Sequence, residues 1–229
     1  MRMDRVIWLW AHPRSRSTAV LRMMLERGDV TVVHEPLGTL LDAGEVAVTD
    51  GAGGVTVLRS VPAVLAHVGA LATERPVFVK DTVEHRYDYL FEHPEEIAEV
   101  RHTFIVRDPR AAISSLVATE PDAGCADAGY ERQHEVFELA WALSGREPVV
   151  IDADRLLRDP EQVVAAYCAA VGLPYLPQAM RWRAADRPVW HRTRSWLPRR
   201  PAGEDAYRKV CALCAHHRPF YDSMARNAL

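Results

Sequence analysis

The chain has 229 residues, 48% of them hydrophobic and 26% charged, with a formal net charge of −3. That length suits one domain, and the composition is that of an ordinary soluble globular fold. No whole-molecule positive field draws in nucleic acid, and no apolar run approaches the ~20 residues of a membrane span. Neither kind of partner is expected. The first apolar run, Val6 to Ala11, is too short for a signal-peptide core, so a cytoplasmic location is expected. Four cysteines in a reducing compartment argue against a disulfide framework.

Val6 to Ala11 is continuously apolar, as a strand covered on both faces requires. It stops abruptly at His12-Pro13-Arg14-Ser15-Arg16-Ser17-Thr18, and a helix is predicted from Ala19 to Leu25. The free N–H groups and dipole at a strand–loop–helix junction bind anions. Arg14 and Arg16 add fixed charge suited to phosphate or sulfate, and Ser15, Ser17 and Thr18 add hydroxyl donors. The loop reads as a phosphate cradle. It lacks the glycines and lysine of G-x-x-x-x-G-K-[ST], and no acidic residue follows the next strand as a magnesium-holding aspartate would. Phosphate handling by arginine and backbone, without a metal, is expected. The alternative is a helix capped by Ser15 or Ser17 with its arginines in solvent.

Further strands are predicted at Val30 to Val33, Val77 to Val79, Thr103 to Val106 and Val149 to Ile151. The second ends in His34-Glu35-Pro36 and the third in Lys80-Asp81. Residues 42–56 read as a surface loop or weak hairpin. Val61, Val64, Leu65, Val68, Leu71 and Ala72 form a helical stripe behind Ser60 and Pro62. Thr103 to Val106 runs into Arg107, then Asp108-Pro109 at a helix start, with Ser114 and Ser115 on that helix. Residues 119–129 read as a loop and candidate lid, Asp159-Pro160 as another helix start, and Gly172-Leu173-Pro174 as a stop. Strand–helix alternation predicts an α/β fold, with a parallel sheet of about five strands and helices on both faces. The chain turns helical from about residue 173.

Between 181 and 200 lie seven arginines, one aspartate and three tryptophans, Trp182, Trp190 and Trp196. The segment reads as single-stranded nucleic-acid contact, a 3′-phosphate wall, an acceptor pocket for an aromatic or anionic molecule, or a solvated loop pinned by core tryptophans. The favoured reading is tryptophans as packing or pocket wall, with Arg192 or Arg194 near the nucleotide. Tyr207, Val210, Cys211 and Cys214 fall on one predicted helix face, so the C-x-x-C reads as packing rather than metal or redox chemistry.

The chain resembles the sulfotransferases that use 3′-phosphoadenosine-5′-phosphosulfate (PAPS). Pro13-Arg14-Ser15-Arg16-Ser17-Thr18 is similar to their P-[KR]-S-G-[ST]-T 5′-phosphosulfate loop. Arg107 with Ser115 eight residues on matches their 3′-phosphate motif, with Ser114 a neighbouring candidate. Ile151 to Tyr175 is similar to the family's later strand, D-P-capped helix and G-L-P break, and His217-Arg218-Pro219-Phe220-Tyr221 resembles the tail of a bacterial and fungal subgroup. The resemblance implies a single P-loop-like domain over 1–229 that moves a sulfonate from PAPS to a small-molecule hydroxyl and releases adenosine 3′,5′-bisphosphate. It places Arg14 at the bridging oxygen, Ser15, Arg16, Ser17 and Thr18 around the 5′-phosphate, and Arg107 and Ser115 at the 3′-phosphate. Glu35, then His34, then the offset His85 are candidate bases, and Lys80 is an acceptor-side cation. Two departures stand out: Arg16 replaces the loop glycine, and Val20 lies where an adenine-stacking aromatic residue is often found. Competing readings are sulfonation that activates a hydroxyl for elimination or cyclisation, a metal-independent kinase-like transferase, and a non-catalytic nucleotide- or RNA-binding module.

Overall fold

The computed structural model describes residues 2–50, 53–181 and 203–229. In chain order the elements are β1 (Val6–Ala11), α1 (Ser17–Arg27), β2 (Thr31–His34), α2 (Pro36–Ala43), β3 (Val46–Thr49), β4 (Val55–Leu58), α3 (Val61–Glu74) and β5 (Val77–Thr82). There follow α4 (Asp88–Glu92), β6 (Arg101–Val106), α5 (Pro109–Thr119), α6 (Cys125–Ala128), α7 (Tyr130–Ser144), β7 (Val149–Asp152), α8 (Ala153–Arg158), α9 (Pro160–Ala170) and α10 (Glu204–Ala225).

Five strands form one parallel sheet in the order β2-β5-β1-β6-β7. β1 lies at its centre and is buried along its whole length, which explains its unbroken apolar run. Its side chains alternate between two cores. Trp8 and Trp10 join Val64, Leu65 and Val68 of α3 and Phe137 of α7. Ile7, Leu9 and Ala11 face the opposite side, with Leu21 and Met24 of α1 and Val163 and Val164 of α9. The result is the expected three layers of helix, sheet and helix.

The register of β1 matches Ala11 to Thr82 of β5 and to Ile105 of β6, and His34 to Lys80. The carboxyl ends of these strands therefore share one edge. From β1 the chain crosses over towards β2, and from β6 towards β7. The crevice between β1 and β6 is the topological switch point, where open α/β sheets place ligands.

The predicted helix starts have their caps. Ser60 Oγ accepts from Ala63 N–H at 3.3 Å, Asp108 Oδ1 accepts from Arg110 N–H at 2.9 Å, and Asp159 Oδ1 accepts from Gln162 N–H at 3.4 Å. Residues 42–56 carry the end of α2 and most of the β3–β4 hairpin, a separate two-stranded antiparallel sheet. The 119–129 segment contains the short helix α6.

Some elements depart from the sequence reading. β2 starts at Thr31 rather than Val30, and β5 continues through Lys80, Asp81 and Thr82 because the ladder with β1 persists there. The packing face of α10 also differs from the predicted one. Tyr207 and Cys211 are exposed, whereas Val210, Leu213 and His217 are buried against α5 and Tyr130. Two overlapping stripes on this helix offer similar apolarity, and tertiary packing selects the second.

Candidate active site

The loop after β1 has an unusual backbone. Arg14 (φ 64°) and Arg16 (φ 68°) are both left-handed, a conformation that costs a non-glycine residue about 1–2 kcal/mol. Arg16 takes up the glycine geometry and is itself the N-cap of α1, with no side-chain cap bond. Ser15 and Ser17 are therefore not the caps that the alternative reading required. Both are buried, and Ser15 Oγ has no hydrogen-bond partner among the described residues. Left-handed residues at a helix start are a common ingredient of anion-binding backbone nests.

The junction after β6 meets this loop directly. Arg14 Nε donates to Ser115 Oγ at 3.0 Å, and Arg107 Nη1 donates to the Arg14 carbonyl at 3.1 Å. Ser115 is buried and Ser114 only half-buried, so the structure assigns Ser115 to this cluster. Arg107 Nε is buried without a hydrogen bond, 3.9 Å from Asp154 Oδ1. Burial, followed by the charge of Arg16, lowers the Arg107 pKa from its ordinary value. Arg16 Nη1 pairs with Asp154 at the start of α8. Three arginines thus gather at the switch point.

A second cluster occupies the β2–β5 side of the same edge. Glu35 is also left-handed (φ 47°) and starts α2. Its carboxylate pairs with the buried Lys80 and lies 3.6 Å from His34 Nε2. Asp81 serves the first free N–H groups of α2, which lies earlier in the chain. Its carboxylate accepts from Leu37 N–H at 3.2 Å and Gly38 N–H at 3.1 Å. Burial pushes the Asp81 pKa up to about 8, against the pull of those two N–H groups. His85 stands apart from this cluster, with its ring 2.7 Å from Asp42 Oδ1 on the surface. Arg192 and Arg194 lie outside the described residues.

Beside Arg16 an apolar cavity of about 250 Å³ opens between α1, α8 and α9, lined by Val20, Met23, Leu156, Leu157 and Met180.

A family model described as the sulfotransferase domain matches residues 5–194. The chain belongs to the sulfotransferase domain family. By fold it is similar to a sulfotransferase from Alicyclobacillus acidocaldarius, with a TM-score of 0.58, 13% identity, and coverage of 97% of this chain and 96% of that one. A mouse sulfotransferase complexed with PAP matches with a TM-score of 0.55 and 11% identity over 98% of this chain and 85% of that one. By sequence the chain is 27% identical over 198 residues to branched-chain-amino-acid aminotransferase-like protein 1 of Arabidopsis thaliana, covering 81% of this chain and 34% of that protein. It spans about a third of the length of the curated relatives it matches. No described helix of this sulfotransferase is long and apolar enough to cross a membrane.

Several residues that hold this cluster together have no local sequence signal. His12 bridges the ends of β1 and β6. Its Nδ1 lies 2.9 Å from the Pro13 carbonyl, and its Nε2 accepts from Arg107 N–H at 3.1 Å. This fixes the Nδ1–H tautomer, and burial lowers its pKa to about 3. Tyr130 stacks on His12 at 4.0 Å and donates to the Arg107 carbonyl at 2.6 Å. Gln133 Nε2 donates to the carbonyls of Trp10 at 2.9 Å and Ile105 at 3.0 Å. The start of α7 is thereby fastened under both strand–helix junctions.

Gly129 makes that docking possible. Its φ is +75°, and an added Cβ would lie 2.9 Å from Pro13 Cδ and 3.2 Å from Val83 Cγ2. Gly129→Ala is expected to destabilise the fold by about 2 kcal/mol, from overpacking and left-handed strain together. Chemical denaturation should show this as a lowered midpoint at unchanged slope. An unchanged midpoint would mean that α7 is free to shift away from the loop.

Proposed function

We propose that this sulfotransferase moves a sulfonate from PAPS to a hydroxyl of a small-molecule acceptor and releases adenosine 3′,5′-bisphosphate. One observation carries the reading: two arginine-bearing strand–helix junctions meet at the switch point, with Arg14 Nε 3.0 Å from Ser115 Oγ. A donor with two phosphate ends suits such a pair of cradles. The residues present fit the donor. Ser15 Oγ and Arg107 Nε are buried donors without a hydrogen bond among the described residues, and left-handed residues at a helix start suit a backbone that wraps an anion. The mouse sulfotransferase of the same fold was solved with PAP.

When bound, PAPS supplies the activated sulfonate. Ser15, Ser17, Thr18 and the loop N–H groups would hold the 5′-phosphate, and Arg107 and Ser115 the 3′-phosphate. The cavity lined by Val20, Met23 and Met180 offers an apolar slot for adenine beside the loop, in place of a stacking aromatic ring. Arg14 would stabilise the negative charge that develops on the bridging oxygen. Glu35 would take the proton of the acceptor hydroxyl, and Lys80, paired with it, would orient that carboxylate. Both β2–β5 groups lie on the same sheet edge as the loop, which suits the in-line geometry that group transfer demands.

Calorimetric titration with adenosine 3′,5′-bisphosphate tests the reading, with adenosine 5′-phosphate and ATP–magnesium as controls. Selective, metal-independent micromolar binding is expected. A preference for ATP–magnesium, or no binding at all, would overturn the assignment of the donor.

A further inference from the structure

We propose that Cys125, His216 and His217 form a zinc-binding site that fastens the 120–129 segment to α10. Cys125 opens α6 and the two histidines lie two-thirds of the way along α10. Their ligand atoms lie within 4.8 Å of one another. A closed tetrahedral site, with Zn–N near ~2.0 Å and Zn–S near ~2.3 Å, brings such atoms to roughly 3.5 Å apart. Cys125 and His216 are exposed, so side-chain rotation can close that gap.

His217 supplies the independent reason to expect a ligand. It is fully buried, and neither ring nitrogen makes a close, well-directed hydrogen bond among the described residues, although the Cys125 backbone faces the ring. Leaving a buried polar group unpaired is costly, and a metal ion would satisfy one of these nitrogens. Glu131 Oε2 lies 3.5 Å from His216 Nε2, the arrangement in which a carboxylate orients a ligating imidazole or takes a vacant coordination position. One sulfur with two imidazoles favours a borderline-soft ion over magnesium or calcium. Cys125 would bind as the thiolate, and its proton would pass to solvent.

The site is separate from the donor cradle yet mechanically joined to it. His217 stacks on Tyr130 at 5.5 Å, and Tyr130 stacks in turn on His12. The same site would hold the candidate lid segment against the helix that backs the cradle. The C-x-x-C pair is not part of the cluster, which makes Cys214 a useful control.

The test uses chelator-treated protein titrated with zinc(II) in competition with a chromophoric chelator, and with cobalt(II) followed by absorption. One equivalent of zinc at micromolar affinity or better is expected, with a thiolate-to-cobalt charge-transfer band. Cys125→Ser should abolish the band, and Cys125→Ser and His216→Ala should each weaken zinc binding by more than the roughly 10-fold expected of Glu131→Gln. Cys214→Ser should change neither. Both ligand variants alter exposed residues, and far-ultraviolet circular dichroism checks that they are folded. Absence of zinc uptake by the unaltered protein, or uptake that survives both Cys125→Ser and His216→Ala, overturns the proposal.

Discussion

Replacing Arg14 with alanine is expected to lower turnover by about 10²-fold or more, the scale on which removal of a transition-state charge donor is felt. Arg14 is half-buried, and its Nε donates to Ser115 Oγ. Its backbone already sits in the left-handed region, where alanine is about as strained as arginine, so the fold should be little changed. The loss should fall mainly on kcat, with a smaller effect on donor KM, because the charge on the bridging oxygen grows as the sulfonate departs. Arg14→Lys should recover part of the activity, since it keeps the charge but not the fork that reaches Ser115. Steady-state kinetics on the two variants separate these effects. Near-normal turnover in Arg14→Ala would remove the residue from the mechanism.

Arg107→Ala is expected to weaken adenosine 3′,5′-bisphosphate binding by about 10- to 100-fold, the scale of one or two hydrogen bonds to a charged group. Adenosine 5′-phosphate should be affected much less. The structure adds a second role that the sequence did not suggest. Arg107 Nη1 donates to the Arg14 carbonyl, so the side chain also props the loop. The two roles give different results by calorimetry. A selective loss for the bisphosphate identifies a 3′-phosphate contact. Equal losses for both ligands would reduce Arg107 to loop support and sink the two-ended assignment.

The sheet and both arginine-bearing strand–helix junctions were legible because their signals are local. A fully buried central strand must be continuously apolar, so β1 announced itself, and the abrupt change at His12 marked where the backbone turns to the ligand edge. The polar ends of strands were harder. Lys80, Asp81 and Thr82 still pair with β1, but carry side chains that a search for apolar runs discards. The supporting contacts were not legible. The pairing of Arg16 with Asp154, the anchoring of β1 and β6 by Gln133, and the stacking of Tyr130 on His12 join residues far apart in sequence with no shared pattern. The face of α10 was legible only in part. Val210 and Cys214 do pack against the core, but Tyr207 and Cys211 are exposed, because the position of α5 and Tyr130 turns the helix towards Leu213 and His217.

The left-handed arginines of the loop set heat resistance against chemistry. Glycine at position 14 or 16 would relax the backbone by about 1 kcal/mol or more, and would discard a guanidinium in doing so. Selection for thermal tolerance alone would therefore drive these two positions towards glycine and erode the cationic cradle. An assay that reads only folding would score the same substitutions as a gain.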